Sequence, residues 1–158
     1  MSGCRQAESR EQPFVKVVWL AAYDLRAELA VGLHLDVEVT DGPVGSRPIV
    51  SQAFCSALPV AYTTIAPPAW EQFARLVLDA AYEATLLAAC EAKASGGSGT
   101  VLLTRVGGGA FGIEDRWIDD AIERALGRVA HAGLDVRLVS FGTVYPAMQA
   151  IADRWARR

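Results

Sequence analysis

The pattern of apolar positions in the first part of the chain favours β-strands. Residues 14–23 are rich in β-branched and aromatic side chains, which is typical of a buried strand. Residues 34–40 alternate polar and apolar side chains, which predicts a half-buried strand that ends at the turn Asp41-Gly42-Pro43. Residues 49–62 predict another strand. Residues 24–32 fit either a short helix or a loop.

The pattern changes to a helical period after Pro67 and Pro68. A long alanine-rich helix is predicted to begin at Pro68 and to run to the connector at residues 95–99. Its apolar side chains recur at steps of three and four residues, and its inner stripe is predicted to be Trp70, Phe73, Val77, Ala81, Ala84 and Leu87. Beyond the connector, the pattern predicts a strand at 100–106, a helix at 114–132 capped by Gly133, a strand at 134–141 and a helix at 146–155.

This alternation of helices and strands predicts an α/β fold, with a mainly parallel or mixed sheet flanked by helices on both faces. Residues 14–158 form one predicted domain, and the polar residues 1–13 are expected to be a flexible leader. In sheets of this kind, ligands bind beyond the carboxyl ends of the strands. A loop at such an end is therefore the first place to look for a site.

Composition narrows the classes of function. The chain has 158 residues, 52% hydrophobic content and a net charge of -3, which is typical of one globular domain. Lys and Arg are scattered, so we expect no nucleic-acid partner, and no apolar run is long enough to predict a membrane span. A cytoplasmic location is the default expectation. Cys4, Cys55 and Cys90 form no Cys-x-x-Cys pair, which predicts reduced thiols and no metal site.

A glycine-rich run follows the predicted strand at 100–106 and comes just before a helix. Its residues are Gly107, Gly108, Gly109, Ala110, Phe111 and Gly112. Backbone N–H groups in such a run can approach an anion closely, and the helix that follows adds its positive dipole end. A tight strand-to-helix turn that needs small residues explains the run equally well. Glu114 and Asp115 bring negative charge to the same helix end, so an anion must lie against the loop and away from them.

Together with four flanking blocks, the glycine run resembles the carboxyl half of a macrodomain. The blocks are residues 50–62, 78–86, 117–122 and 134–142, and the similarity covers about residues 14–141. The branch that the chain resembles most reverses ADP-ribosylation and includes bacterial effectors that act on ADP-ribosylated ubiquitin. The resemblance implies a macrodomain-like three-layer sandwich. No Asn-Ala-Ala-Asn-like segment or first glycine-rich loop is present in the sequence. The resemblance therefore implies a macrodomain that lacks its amino-terminal portion.

The resemblance implies roles for individual residues. Residues 107–112 would hold the diphosphate and distal ribose of ADP-ribose, with Phe111 against that ribose and Phe141 near the adenine. Asp36, Glu38 and Asp41 lie in a stretch similar to the acidic stretch of that branch, so they are the catalytic candidates. Asp36 and Glu38 are expected on one face of their strand. A solvated strand edge accounts for the same carboxylates without catalysis.

Three functions follow from the resemblance. The first is an enzyme that hydrolytically removes ADP-ribose from a modified protein, without a cofactor. The second is a module that binds ADP-ribose or a nucleotide diphosphate without cleaving it, and the third is a scaffold or oligomer subunit that has lost the ligand. The expected partner is ADP-ribose or an ADP-ribosylated protein. A macrodomain without its first strands leaves apolar sheet surface uncovered, so we also expect a homo-oligomer.

Two residues of the long predicted helix also have candidate roles. Tyr82 and Glu83 lie in the block at 78–86, but packing explains Tyr82 and solvation explains Glu83. His34 is interpreted as a structural hydrogen-bonding residue, and Trp117 as part of the core or of an interface.

Overall fold

A computed structural model of the protein describes residues 25–41 and 45–157. The predicted leader at 1–13, the predicted strand at 14–23 and the turn residues Gly42 and Pro43 lie outside the described residues. The strands and helices, in chain order, are β1 (Gly32–Glu38), β2 (Ile49–Phe54), α1 (Pro67–Ala94), β3 (Thr100–Leu103), α2 (Asp115–Arg128), β4 (Asp135–Leu138) and α3 (Pro146–Trp155). Short 3-10 turns occur at Leu25–Glu28 and Val60–Tyr62.

The α/β class is confirmed, but the described strands form two small sheets rather than one large sheet. β1 and β2 make an antiparallel hairpin, whereas β3 and β4 pair in parallel. The parallel pair has the connection expected of a βαβ unit, because α2 joins its two strands. The inner face of β3 is buried through Val101 and Leu103. On the opposite face, Leu102 is 65% exposed, so in the described part of the chain the helices cover only one face.

The core lies between the inner face of the parallel pair and the helices. The inner face predicted for α2 is confirmed, because Ile118, Ala121, Ile122, Ala125 and Val129 are all buried. Trp117 is a core residue, with no exposed surface. Leu78 and Leu86 of α1 and Ile151 of α3 complete the same cluster. Burial of these apolar side chains is the main force that holds α1, α2 and β3 together.

Helix α1 is buried over a wider face than its stripe predicts, because two partners pack against it. Leu78 and Leu86 face the main core, while Ala84 packs against Val31 and Leu33 at the start of the hairpin. The predicted inner position of Phe73 is wrong, since this ring is 50% exposed.

The solvation predicted for Glu83 is also wrong, because this residue is only 6% exposed. Its carboxylate accepts hydrogen bonds from Arg128 at 2.9 Å and from Arg124 at 3.5 Å. Both arginines belong to α2 and are more exposed than Glu83, so a buried carboxylate paired with two surface arginines links the two long helices at this point.

Three strands are shorter than predicted. β3 ends at Leu103 and β4 ends at Leu138. The last hydrogen bond between the two strands runs from the Val139 N–H to the Leu103 carbonyl. β2 ends at Phe54, ahead of an irregular segment that contains Pro59, which has no N–H to donate to a ladder. Helix α3 has the predicted bounds, and α2 ends at Arg128, before the predicted end at residue 132. None of the described helices has the length and apolar character needed to cross a membrane.

Candidate functional site

The glycine run forms a loop, hereafter the glycine loop (residues 107–112), that connects the carboxyl end of β3 to the start of α2. Its start packs closely on the segment that follows β2, because a Cβ added at Gly107 would overlap the Cβ of Ala57. Its end is bonded to the same segment, since the Ala61 N–H donates to the Phe111 carbonyl at 2.9 Å. The glycine loop is therefore held at both ends against the segment that follows β2.

The side chain of Tyr82 holds the chain where it leaves β3. Its hydroxyl donates to the Thr104 carbonyl at 2.8 Å and accepts from the Val106 N–H at 2.8 Å. These two bonds replace the strand ladder, which explains why β3 stops before residue 104. Tyr82 is 2% exposed, and this burial raises its pKa to about 12. Packing alone is therefore an incomplete interpretation of this residue.

Arg105 joins the entry of the glycine loop to the first turns of α2. Its guanidinium pairs with the Asp119 carboxylate, and its Nη2 also donates to the Asp115 carboxylate at 2.7 Å and the Asp115 carbonyl at 3.1 Å. The Tyr145 ring lies against the same guanidinium, 5.0 Å from ring centroid to Cζ. Burial lowers the pKa of Arg105, but the bonds to Asp119 and Asp115 outweigh it, so that the pKa is raised.

Several backbone donors of the glycine loop have no bond to any described residue. The N–H groups of Gly108 and Gly112 close turns onto the carbonyls of Arg105 and Gly109, at 3.4 and 3.0 Å. By contrast, within the described part of the chain no hydrogen bond is made by the N–H groups of Gly107, Gly109, Ala110 and Phe111. Residues 108–110 are exposed. Such donors beside a helix N-terminus are suited to an anion.

A cleft of about 340 Å³ opens beside this loop, beyond the carboxyl ends of β3 and β4. It is lined by Thr104, Arg105, Gly108, Val139, Ser140, Phe141 and Tyr145. The ring of Phe141 is fully exposed, so it is free to stack on a planar group. The structure thus brings together two of the predicted ligand-binding elements, Gly108 of the loop and Phe141.

The predicted catalytic carboxylates lie elsewhere, on the β1–β2 hairpin. The end of the hairpin nearest the glycine loop is the one where Gly32 pairs with Phe54, because Ala57 follows shortly after β2. Glu38 lies about 20 Å along β1 from Gly32 at the usual rise per residue, and its carboxylate pairs with Arg47 at 2.7 Å.

Asp36 and Asp41 are also exposed on this part of the chain. Asp36 lies within a β-bulge and has a φ of 54°, so the regular alternation predicted for Asp36 and Glu38 is interrupted. The Asp36 N–H donates to the Ser51 hydroxyl at 3.3 Å, across the hairpin. The structure therefore does not bring the acidic residues to the cleft.

Sequence reasoning missed Arg105 and Tyr145 as residues of this site. A signal for Arg105 was present, because an arginine two residues before a glycine run is close in sequence to the acidic first turns of the following helix. Nothing in the local pattern indicated Tyr145, which reaches the cleft through the loop that precedes α3. Among the described residues, no group of three His, Cys, Asp or Glu side chains is arranged to hold a metal ion.

The chain matches no protein-family model, and no curated protein or solved structure is significantly similar to it. The resemblance to macrodomains therefore remains a prediction drawn from the residues themselves.

Proposed function

We propose that the protein recognises a nucleoside diphosphate of the ADP-ribose type in the cleft beside the glycine loop. The observation that carries the proposal is that the glycine loop, which has unbonded backbone N–H groups at residues 107 and 109–111, borders through Gly108 a cleft that also holds the exposed ring of Phe141. The N–H groups suit the oxygens of a diphosphate, and the Phe141 ring suits a planar base. A macrodomain-like three-layer sandwich is the fold that accompanies this proposal.

Several features support a nucleotide over a simple anion. The cleft volume of about 340 Å³ is near the lower end of the range usual for small-molecule sites, roughly 300–1,000 Å³. Its wall combines apolar side chains, such as Val139 and Phe141, with the hydroxyl-bearing residues Thr104 and Ser140. An inorganic anion would leave the aromatic and apolar part of this surface unused.

The proposal is limited to recognition. Hydrolysis of ADP-ribosylated protein by Asp36, Glu38 and Asp41 stays a prediction. These carboxylates are not among the residues that line the cleft, so their position gives hydrolysis no support. Measuring turnover of an ADP-ribosylated protein by the wild type and by Asp36→Ala is the direct test of that prediction.

Calorimetric titration of the full chain with ADP-ribose tests recognition. We expect measurable binding by the wild type and a loss of about 5- to 150-fold in affinity for Phe141→Ala, since base stacking on an aromatic side chain contributes roughly 1–3 kcal/mol. Phe141 is fully exposed, so its replacement should leave the thermal midpoint nearly unchanged.

Phe54→Ala is a matched control, because Phe54 is 60% exposed on the hairpin and does not line the cleft. Its affinity for ADP-ribose should equal that of the wild type. Absence of wild-type binding at millimolar ADP-ribose, or an equal loss in both variants, would contradict the proposal.

A further inference from the structure

The two carboxylates that bind Arg105 differ strongly in their exposure. The side chain of Asp119 is 18% exposed, whereas that of Asp115 is 67% exposed. Arg105 itself lines the cleft, although its side chain is only 7% exposed. One partner of the guanidinium is thus fixed within the protein, and the other lies at the solvent boundary of the candidate site.

The chemistry of a guanidinium makes the exposed partner exchangeable. Arginine presents several N–H donors in a plane that fits carboxylate and phosphate oxygens alike. An ion pair with an exposed carboxylate contributes little to stability, so its loss is a small penalty. The pairing with Asp119 and the contact with the Tyr145 ring would keep the guanidinium in place during such an exchange.

We propose that the Asp115 carboxylate occupies, in the free protein, a donor of Arg105 that a ligand phosphate takes on binding. Arg105 is then a ligand-binding residue, Asp119 is the residue that positions it, and Asp115 is a competitor built into the site. This inference rests on the proposed recognition of a nucleoside diphosphate. It also accounts for the negative charge beside the glycine loop, because Asp115 turns away when the ligand binds.

The decisive experiment is calorimetric titration of the full chain with ADP-ribose, for the wild type and for Asp115→Asn. The variant removes the competing charge while keeping the shape of the side chain. We expect it to bind about two- to fivefold more tightly, which is the range given by the free energy of an exposed ion pair.

Asp120→Asn is the matched control. Asp120 lies on the same helix with a side chain 61% exposed, but its carboxylate pairs with Arg75 at 2.8 Å and not with Arg105. It removes the same charge at similar exposure, so a general electrostatic effect would strengthen binding in both variants. Displacement at Arg105 predicts a gain for Asp115→Asn that clearly exceeds the gain for Asp120→Asn.

A second variant tests the role of the guanidinium. Arg105→Lys keeps the charge but not the planar set of donors, and we expect it to weaken ADP-ribose binding about tenfold or more. Far-ultraviolet circular dichroism at the titration temperature checks that this variant is folded. If it is not, the comparison of Asp115→Asn with Asp120→Asn decides alone.

The outcomes separate this inference from the proposed function. Wild-type binding with no gain, or with equal gains in both aspartate variants, overturns the inference and leaves recognition standing. If neither the wild type nor Asp115→Asn binds ADP-ribose, the proposed function fails and the inference fails with it. Wild-type binding together with a gain confined to Asp115→Asn supports both.

Discussion

The glycine loop and the acidic part of the hairpin are both singled out by sequence, but their surroundings in the protein are very different. The glycine loop is held at its entry by Tyr82 and Arg105 and at its end by Ala61. Asp36 and Glu38 lie in the exposed part of a two-stranded hairpin, where the Glu38 carboxylate pairs with the exposed Arg47. The support that holds the glycine loop is what a binding site needs for a defined geometry.

This difference teaches that two motifs that are equally plausible in the sequence can receive very different support from the rest of the molecule. A loop fixed by buried bonds keeps its N–H groups directed at one place without a ligand. On the hairpin, by contrast, the Glu38 carboxylate pairs with Arg47, whose side chain is itself exposed. Substitutions in the two regions should therefore affect stability very differently.

The largest effect is expected for Gly107→Ala, compared with Gly109→Ala. Both glycines have a φ of 83°, so both substitutions place a side chain in the left-handed region. At Gly107 the new Cβ also overlaps Ala57 and approaches Ile113 Cγ1 to 2.9 Å, whereas nothing lies within 4 Å at Gly109. We expect a loss of about 2–5 kcal/mol in the free energy of unfolding for Gly107→Ala and about 1–2 kcal/mol for Gly109→Ala.

Urea unfolding followed by circular dichroism measures both values, and the difference between them isolates the steric term from the backbone term. Equal losses in the two variants would mean that the start of the loop does not pack on Ala57. The contrast between a fixed loop and the exposed acidic part of the hairpin would then lose its structural basis.

Tyr82→Phe should have the next largest effect. The substitution removes one hydroxyl and leaves the Thr104 carbonyl and the Val106 N–H without their partner. A loss of about 1–3 kcal/mol in the free energy of unfolding is expected at neutral pH, as for other buried groups left without a hydrogen bond. Tyr62→Phe is the control, because Tyr62 is 69% exposed and should change stability little.

The pH dependence of the stability difference between the wild type and Tyr82→Phe gives an independent check. The folded-state pKa of Tyr82 is raised to about 12, mainly by burial, so the fold favours the neutral phenol. The corresponding stability is fully present below the unfolded pKa of about 10 and is lost as pH rises towards 12. The wild type should therefore lose its advantage over Tyr82→Phe between pH 10 and 12, and a constant difference across that range would contradict the assignment.

The regular elements and the position of the glycine loop follow from local sequence, but the supports of the loop do not. Period and proline placement predict α1, α2 and α3, since those signals act within a few residues. The pairing of Arg105 with Asp119 depends on the angle between β3 and α2, which no local pattern encodes.

The acidic stretch shows the same limit from the other side. Alternation predicts that Asp36 and Glu38 share a face, but the extra residue of the bulge is defined only by the partner strand β2. Short-range patterns therefore predict where the elements lie, and tertiary pairing determines which side chains meet.

The smallest effect is expected at Asp36, where the backbone requirement can be separated from the charge. Asp36→Asn removes the carboxylate but keeps a residue that tolerates the left-handed region, so stability should change by less than about 0.5 kcal/mol. Asp36→Val places a β-branched side chain at the same positive φ and should cost about 1–2 kcal/mol. Glu38→Val on the same strand is the control, since it loses only an exposed ion pair. If Asp36→Asn destabilises the protein as much as Asp36→Val, the carboxylate itself has a partner that the hairpin geometry does not account for, and the acidic stretch regains a claim to a functional role.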